Sequence, residues 1–147
     1  MSSDTQAAPT VVRNARIICG FILGTTVMYA IVGFGMVLFD VIPAGGYMDA
    51  SEDIGVALNG AMIVAGVLSA LASFPVKRAL TRRIDPGRPS RFQVALTSMA
   101  MAETGGVLVL VSILLTGELG AAAILLGVAV GAGIYHFPIQ SWLEGEV

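Results

Sequence analysis

The chain has 147 residues, of which 56% are hydrophobic and 12% are charged, and its mean hydropathy is +0.85. A soluble domain usually carries about 25% charged residues, so this composition excludes an ordinary water-soluble fold and makes the lipid bilayer the expected surroundings. The net charge of −2 comes without a basic, aromatic-rich face, which excludes nucleic acid as a partner. The single cysteine, Cys19, lies in an apolar run and is expected to be a packing residue.

Four apolar segments are long enough to cross a membrane, since about 20 apolar residues in a helix span its hydrocarbon core. They cover about residues 17–42, 54–74, 92–116 and 119–137. Residues 1–12 are small and polar, and we expect a flexible tail before a retained first helix, not a cleaved signal peptide. The predicted fold is a single all-α domain over residues 1–147, with four transmembrane helices arranged as two tandem helical hairpins.

The charges predict how these helices are oriented. The first and last connections carry acidic residues and no basic ones, whereas the basic residues precede the first helix or join the second to the third. The positive-inside rule then places both termini and the middle loop in the cytoplasm, with Trp142 as an interfacial anchor. We expect a multi-pass protein of the plasma (bacterial inner) membrane. The basic residues are Arg13, Arg16, Lys77, Arg78, Arg82, Arg83, Arg88 and Arg91.

A faint internal repeat supports the two hairpins. Phe74-Pro75-Val76 and Phe137-Pro138-Ile139 each follow an apolar run, and proline favours helix boundaries, so each is expected to end a helix. Arg16 precedes the first helix as Arg91 precedes the third. Aligning these two arginines sets Met28 opposite Glu103, so one hairpin carries an acid that the other lacks.

Glu103 is the residue that points to a function. It lies near the centre of the third segment, about 16 Å from its cytoplasmic end. A charge at this depth costs from about 2.5 to more than 10 kcal/mol, so such acids are rare and usually functional. We expect an uncharged Glu103 that binds or relays H⁺ or Na⁺, with Thr104, Thr97 or Ser98 as hydrogen-bond partners. The alternative is a structural acid that donates a hydrogen bond across a helix interface.

Glycines at helical spacing are the second feature. Gly20 and Gly24 are four residues apart in the first helix, as are Gly127 and Gly131 in the fourth, where Gly133 follows. This spacing puts each pair on one helix face, where two backbones can approach closely. We expect these glycines to pack helices within the bundle or, alternatively, to pack subunits together.

The remaining polar residues indicate no catalytic chemistry. Asn59, near the outer end of the second helix, is expected to meet water or a helix cap, and His136 is expected to be a water-exposed anchor at the cytoplasmic end of the fourth. The sequence has no nucleophile–base pair, Walker loop, dinucleotide fingerprint or metal-ligand cluster. We therefore predict a protein that is not an enzyme and uses no cofactor or metal.

The second and third helices resemble the hairpin of ATP synthase subunit c, the proteolipid family. The likeness comprises a polar loop with Arg and Pro, followed by an Ala-rich helix with a central acid. The matching segments are, in order, Arg88-Pro89, Phe92-Gln93-Val94-Ala95-Leu96, Ala100-Met101-Ala102-Glu103 and Val107-Leu108-Val109-Leu110-Val111. The resemblance implies that Glu103 corresponds to the family's ion-carrying carboxylate and that the protein forms a homo-oligomeric ring.

The sequence thus favours a small oligomeric, c-subunit-like membrane protein that binds or relays a proton or cation through Glu103. An alternative of a different class is a non-catalytic accessory subunit that packs against a larger membrane complex through its glycine faces. A third is a small transporter that uses the two pseudo-symmetric hairpins.

Overall fold

The computed structural model describes residues 9–43, 46–47, 53–84 and 90–139. Within these ranges the protein has four α-helices and no β-strand: α1 Pro9–Leu38, α2 Asp53–Thr81, α3 Arg91–Thr116 and α4 Leu119–His136. All four are long and apolar enough to cross a membrane, which confirms the predicted all-α class with four such helices. Trp142 and residues 1–8 of the expected tail lie outside the described residues.

Helix α1 differs from its predicted segment at both ends. It begins at Pro9, because proline suits the first helical turn, where its missing N–H would have no partner in any case. After Leu38 the chain turns back on itself through Asp40, whose φ of 55° is left-handed. The N–H groups of Val41 and Ile42 both donate to the Met36 carbonyl, and this fold-back buries the Ile42 side chain.

Helix α2 continues past the Phe-Pro pair that was expected to end it. Pro75 lies inside the helix, which runs on to Thr81. The proline removes one backbone hydrogen bond. The Lys77-Arg78-Ala79-Leu80 segment that follows consists of strong helix formers, and these continue the helix. In contrast, α4 ends at His136, next to Phe137-Pro138, where the sequence predicted a helix end.

Helix α3 has a defined cap at each end. Ser90 and Gln93 form a capping box, in which the Gln93 N–H donates to Ser90 Oγ and the Ser90 N–H donates to Gln93 Oε1. At the other end Gly117 takes a left-handed φ of 67°, and its N–H donates to the Ile113 carbonyl over 2.8 Å. Helix α4 starts two residues later, so α3 and α4 form a tight antiparallel pair.

Helix α3 is the centre of the bundle and packs against each of the other three helices. Helices α1 and α2 do not pack against each other, so the expected first hairpin is not a packed pair. Between them in the sequence, Gly46 and Tyr47 contact the end of α3 instead. The Tyr47 N–H donates to the Leu114 carbonyl over 3.2 Å, and Gly46 lies so close to Leu115 that a side chain would not fit.

The glycines that bring the helices together are mostly not the predicted ones. An added Cβ would meet another helix within 3 Å at Gly33, Gly66, Gly105, Gly106 and Gly133. Gly133 alone belongs to the predicted set, and Leu23 fills the space beside it. Gly20 faces Phe137 at a relaxed 3.9 Å, and no atom of the described residues lies within 4 Å of an added Cβ at Gly24, Gly127 or Gly131.

Candidate functional site: a carboxyl group midway along α3

Glu103 and Thr25 lie at the same depth on neighbouring helices. Glu103 is roughly 20 Å from both ends of α3, and Thr25 is roughly 20 Å from both ends of the apolar part of α1, Val12–Leu38. Both side chains are half-buried, at the interface between α1 and α3. The carboxyl group is therefore far from either helix end and is partly shielded by the bundle.

A short hydrogen bond joins the two side chains. Thr25 Oγ1 is 2.6 Å from Glu103 Oε1 and 2.7 Å from the Ile22 carbonyl oxygen. One hydroxyl has one proton, so it cannot donate to both oxygens at once. A protonated Glu103 satisfies both contacts, because the carboxyl then donates to Thr25 Oγ1 while Thr25 donates to Ile22. The geometry accommodates an uncharged acid with its proton in a defined place.

Gly106 allows α1 to approach α3 closely beside this pair. A Cβ at Gly106 would lie 2.7 Å from Thr26 Cγ2 and 3.2 Å from Thr26 Cα, so the glycine leaves space that the α1 backbone occupies. Thr26 is buried, and its hydroxyl contacts the Ile22 carbonyl at 3.3 Å. Close packing at Thr26 holds the adjacent Thr25 within hydrogen-bond reach of Glu103.

The structure does not bring the three predicted partners to Glu103. Thr97 and Thr104 lie on exposed parts of α3, and Thr104 donates to the Ala100 carbonyl of its own helix. Ser98 is buried and donates to the Val94 carbonyl over 2.9 Å. Thr25 was missed because it is distant in sequence. The sequence signal that could have indicated Thr25 was its depth in the first span, since two parallel spans place their central residues side by side.

A second polar cluster lies at the other end of the bundle from the capping box of α3. Asn59 Nδ2 donates to Glu118 Oε2 over 2.9 Å, and Ser112 donates to Asn59 Oδ1 over 2.5 Å. Thr116 Oγ1 accepts from the Glu118 N–H and donates to the Ser112 carbonyl. Asn59 is thus buried and satisfied by protein groups, and not by the water or helix cap that the sequence suggested.

His136 is fully buried, which corrects its expected role as a water-exposed anchor. Its Nε2 is 2.6 Å from Ser73 Oγ, and the Ser73 hydroxyl also donates to the Ala70 carbonyl. His136 Nε2 is then the donor to Ser73, and the other ring nitrogen, Nδ1, has no hydrogen-bond partner. The rings of Phe74 and Tyr135 pack around it, at centroid distances of 4.8 and 5.3 Å. Ser73 and His136 therefore fasten α2 to α4.

Within the described ranges, no three His, Cys, Asp or Glu side chains lie close enough together to hold a metal ion. Comparison of the chain with protein-family models, curated proteins and solved structures finds no match. The likeness to subunit c therefore stays a prediction from the residues quoted for it. The Thr25–Glu103 pair is the arrangement with the clearest chemistry, since it places a carboxyl group in a short hydrogen bond midway along the bundle.

Proposed function

We propose that this protein is a multi-pass membrane protein that binds and releases a proton at Glu103, midway across the bilayer. The hydrogen bond of 2.6 Å between Thr25 and Glu103 is the observation that carries the proposal. An acid with a purely structural role would need only a fixed hydrogen-bond partner, and it could be fully enclosed by the bundle. This carboxyl is half-buried at the edge of a two-helix interface, so the bundle does not enclose it completely.

Exposed apolar side chains support insertion into a membrane. Phe21 is 72% exposed and Ile124 is 67% exposed, and many other large apolar side chains also point outward. So extensive an apolar surface is unfavourable in water and favourable in lipid. The basic residues favour an orientation with both termini and the middle connection in the cytoplasm, in a plasma (bacterial inner) membrane.

The geometry favours a proton over Na⁺ as the bound ion. A separation of 2.6 Å is typical of two oxygens that share a hydrogen, whereas two oxygen ligands of one cation stand farther apart. Glu103 and Thr25 also offer fewer oxygen atoms than a dehydrated cation needs. We therefore assign Glu103 the role of proton acceptor and donor, and Thr25 the role of the group that orients it.

A homo-oligomer like that of subunit c is part of the proposal, and an accessory subunit of a larger complex is the second candidate. One observation bears on both. Gly24, Gly127 and Gly131 leave open space on the outer surface, where a helix of another chain can approach. The native mass of the extracted protein separates the two candidates.

Infrared spectroscopy across a pH series tests the proton site directly. We expect a carbonyl stretching band from the protonated carboxyl that declines as pH rises and is missing in Glu103→Gln. Dicyclohexylcarbodiimide, which reacts with protonated carboxyls in apolar surroundings, should modify Glu103 more slowly as pH rises. Thr25→Val should shift the band, because the carboxyl loses its hydrogen-bond partner.

Thr104→Val is the matched control, since it alters a threonine adjacent to Glu103 that faces away from α1. It should leave the band and the modification rate unchanged. A band that does not change over the whole accessible pH range, with a constant modification rate, would show a purely structural acid and refute the proposal.

A further inference from the structure

A groove of 620 Å³ opens between α2 and α4, near the end of α2 that leads into the basic middle connection. Helix α2 contributes Phe74, Lys77, Arg78 and Thr81 to its walls, and α4 contributes Tyr135. Arg82, the first residue after α2, also lines the groove. None of the described residues that line it is acidic. The groove therefore combines three positive charges with an aromatic wall.

The basic side chains form two adjacent rows at the end of α2. Lys77 and Thr81 are four residues apart on neighbouring turns of α2. Arg82 follows the helix and lies one turn after Arg78, because its N–H donates to the Arg78 carbonyl over 3.2 Å. Arg78 and Arg82 are both exposed, and a guanidinium group can bind phosphate in a bidentate manner. Lys77 Nζ stands 5.4 Å from the centre of the Tyr135 ring, which keeps this ammonium at the groove wall.

The depth of the groove matches the headgroup layer of a membrane. Helix α2 has 29 residues and is about 42 Å long, whereas the hydrocarbon core is about 30 Å thick. The last turns of α2 therefore extend beyond the hydrocarbon. A lipid phosphate next to the bundle lies at this level.

The opposite part of the groove is apolar and fixed in position. The Phe74 and Tyr135 rings pack at a centroid distance of 4.8 Å, and His136, bonded to Ser73, supports both. Leu71 is 54% exposed and continues the row that Pro75 and Arg78 occupy, one turn deeper into the membrane. A ligand with a charged head and an apolar tail fits this arrangement, whereas a free anion would leave the apolar wall unused.

We propose that this groove binds one anionic phospholipid per chain, with its phosphate against Arg78, Arg82 and Lys77 and an acyl chain along Phe74 and Leu71. Basic pockets between membrane helices are known to hold such headgroups. The proposal rests on insertion of the bundle into a membrane and is independent of the role of Glu103. Glu103→Gln should bind lipid as the unaltered protein does, which keeps the two proposals separable.

Native mass spectrometry of the detergent-purified protein tests this site, using phosphatidylglycerol and phosphatidylcholine with identical acyl chains. We expect one phosphatidylglycerol per chain, bound at least about tenfold more tightly than phosphatidylcholine. The double substitution Arg78→Gln/Arg82→Gln should weaken phosphatidylglycerol binding about thirtyfold, since each basic group near an anionic surface contributes about 1 kcal/mol.

Arg13→Gln/Arg16→Gln is the matched control, because it removes two exposed arginines at the end of α1, away from the groove. It should change the affinity less than about threefold on the same energy scale. Arg78→Lys/Arg82→Lys, which keeps both charges, should retain most of the binding. Circular dichroism checks that each variant keeps its helices.

Several results would overturn the proposal. If both double glutamine variants weakened phosphatidylglycerol binding equally, the lipid would be held by general charge attraction and not at this groove. Equal binding of phosphatidylglycerol and phosphatidylcholine would show that the headgroup is not recognised. Displacement of the lipid by millimolar inorganic phosphate would make a soluble anion the occupant. Preferential binding of a polyglutamate peptide over phosphatidylglycerol would make an acidic protein segment the occupant of the groove.

Discussion

At the scale of single residues, Asn59 links three parts of the chain. It donates to Glu118, the N-cap residue of α4, and accepts from Ser112 of α3, and it is 5% exposed. A buried amide left without partners costs about 1–3 kcal/mol. These hydrogen bonds are therefore a local source of stability, and they hold α2 to the turn between α3 and α4.

A double-mutant cycle on Asn59 and Ser112 measures this link. Asn59→Ala should lower the free energy of unfolding by about 1–3 kcal/mol, because the buried Ser112 hydroxyl loses its acceptor. The double variant Asn59→Ala/Ser112→Ala should cost less than the sum of the single ones, with a coupling energy of about 0.5–2 kcal/mol. Denaturation in mixed micelles gives all three values. Strict additivity would contradict the direct hydrogen bond.

The proposed proton site illustrates which residues can be found from sequence. Glu103 is recognisable because an acid at the centre of an apolar run is costly whatever surrounds it. Its partner Thr25 is not, because identifying it requires the rotation and relative height of two helices that are far apart in sequence. Thr97 and Thr104 were plausible as nearby hydroxyls, but the helix turns them away from α1.

At the scale of the helices, the approach of α1 to α3 at Gly106 governs the proton site. Gly106→Ala should destabilise the protein by about 1–3 kcal/mol, because the new Cβ overlaps Thr26 and must push α1 outward. The same shift lengthens the Thr25–Glu103 hydrogen bond, so the carboxyl infrared band should move as it does in Thr25→Val.

Gly24→Ala provides the comparison. Gly24 is adjacent to Thr25 but has open space around it, so the added methyl group should alter neither the band nor the free energy of unfolding by more than about 1 kcal/mol. Equal effects of the two substitutions would contradict the close approach at Gly106.

The existence of the four helices could be predicted from the sequence, but the contacts between them could not. Long apolar runs require helices because lipid offers no partner for an unpaired backbone group, so four segments could be recognised directly. The extension of α2 through Pro75 depends on the helix formers after it outweighing one lost hydrogen bond. Which glycines face a neighbour depends on helix rotation, so the regular spacing at Gly127 and Gly131 did not reveal their open surroundings.

At the scale of the whole molecule, the native mass is the decisive measurement. We expect a homo-oligomer in mild detergent, held in part by the open glycine face of α4. Gly131→Leu should lower the proportion of oligomer, because a large side chain there prevents close helix approach between chains. Gly60→Leu should not, because Val56 and Val64 lie four residues to either side of this open glycine and leave no small-residue face there. A monomer, or a stoichiometric complex with other chains, would contradict the homo-oligomer and support the accessory subunit.

The central position of α3 has a consequence for how the protein is made. Because α1 and α2 do not contact each other, the proposed membrane insertion would bring the first two helices of a growing chain into the bilayer without packing against each other. The groups that later satisfy Asn59 and Ser73 are on α3, at the start of α4 and at its end, so they are synthesised afterwards. A ribosome stalled before Arg91 would hold two separate, unassembled helices with polar groups in lipid. Emergence of the third helix would thus be the first step at which Asn59 can reach its partner Ser112.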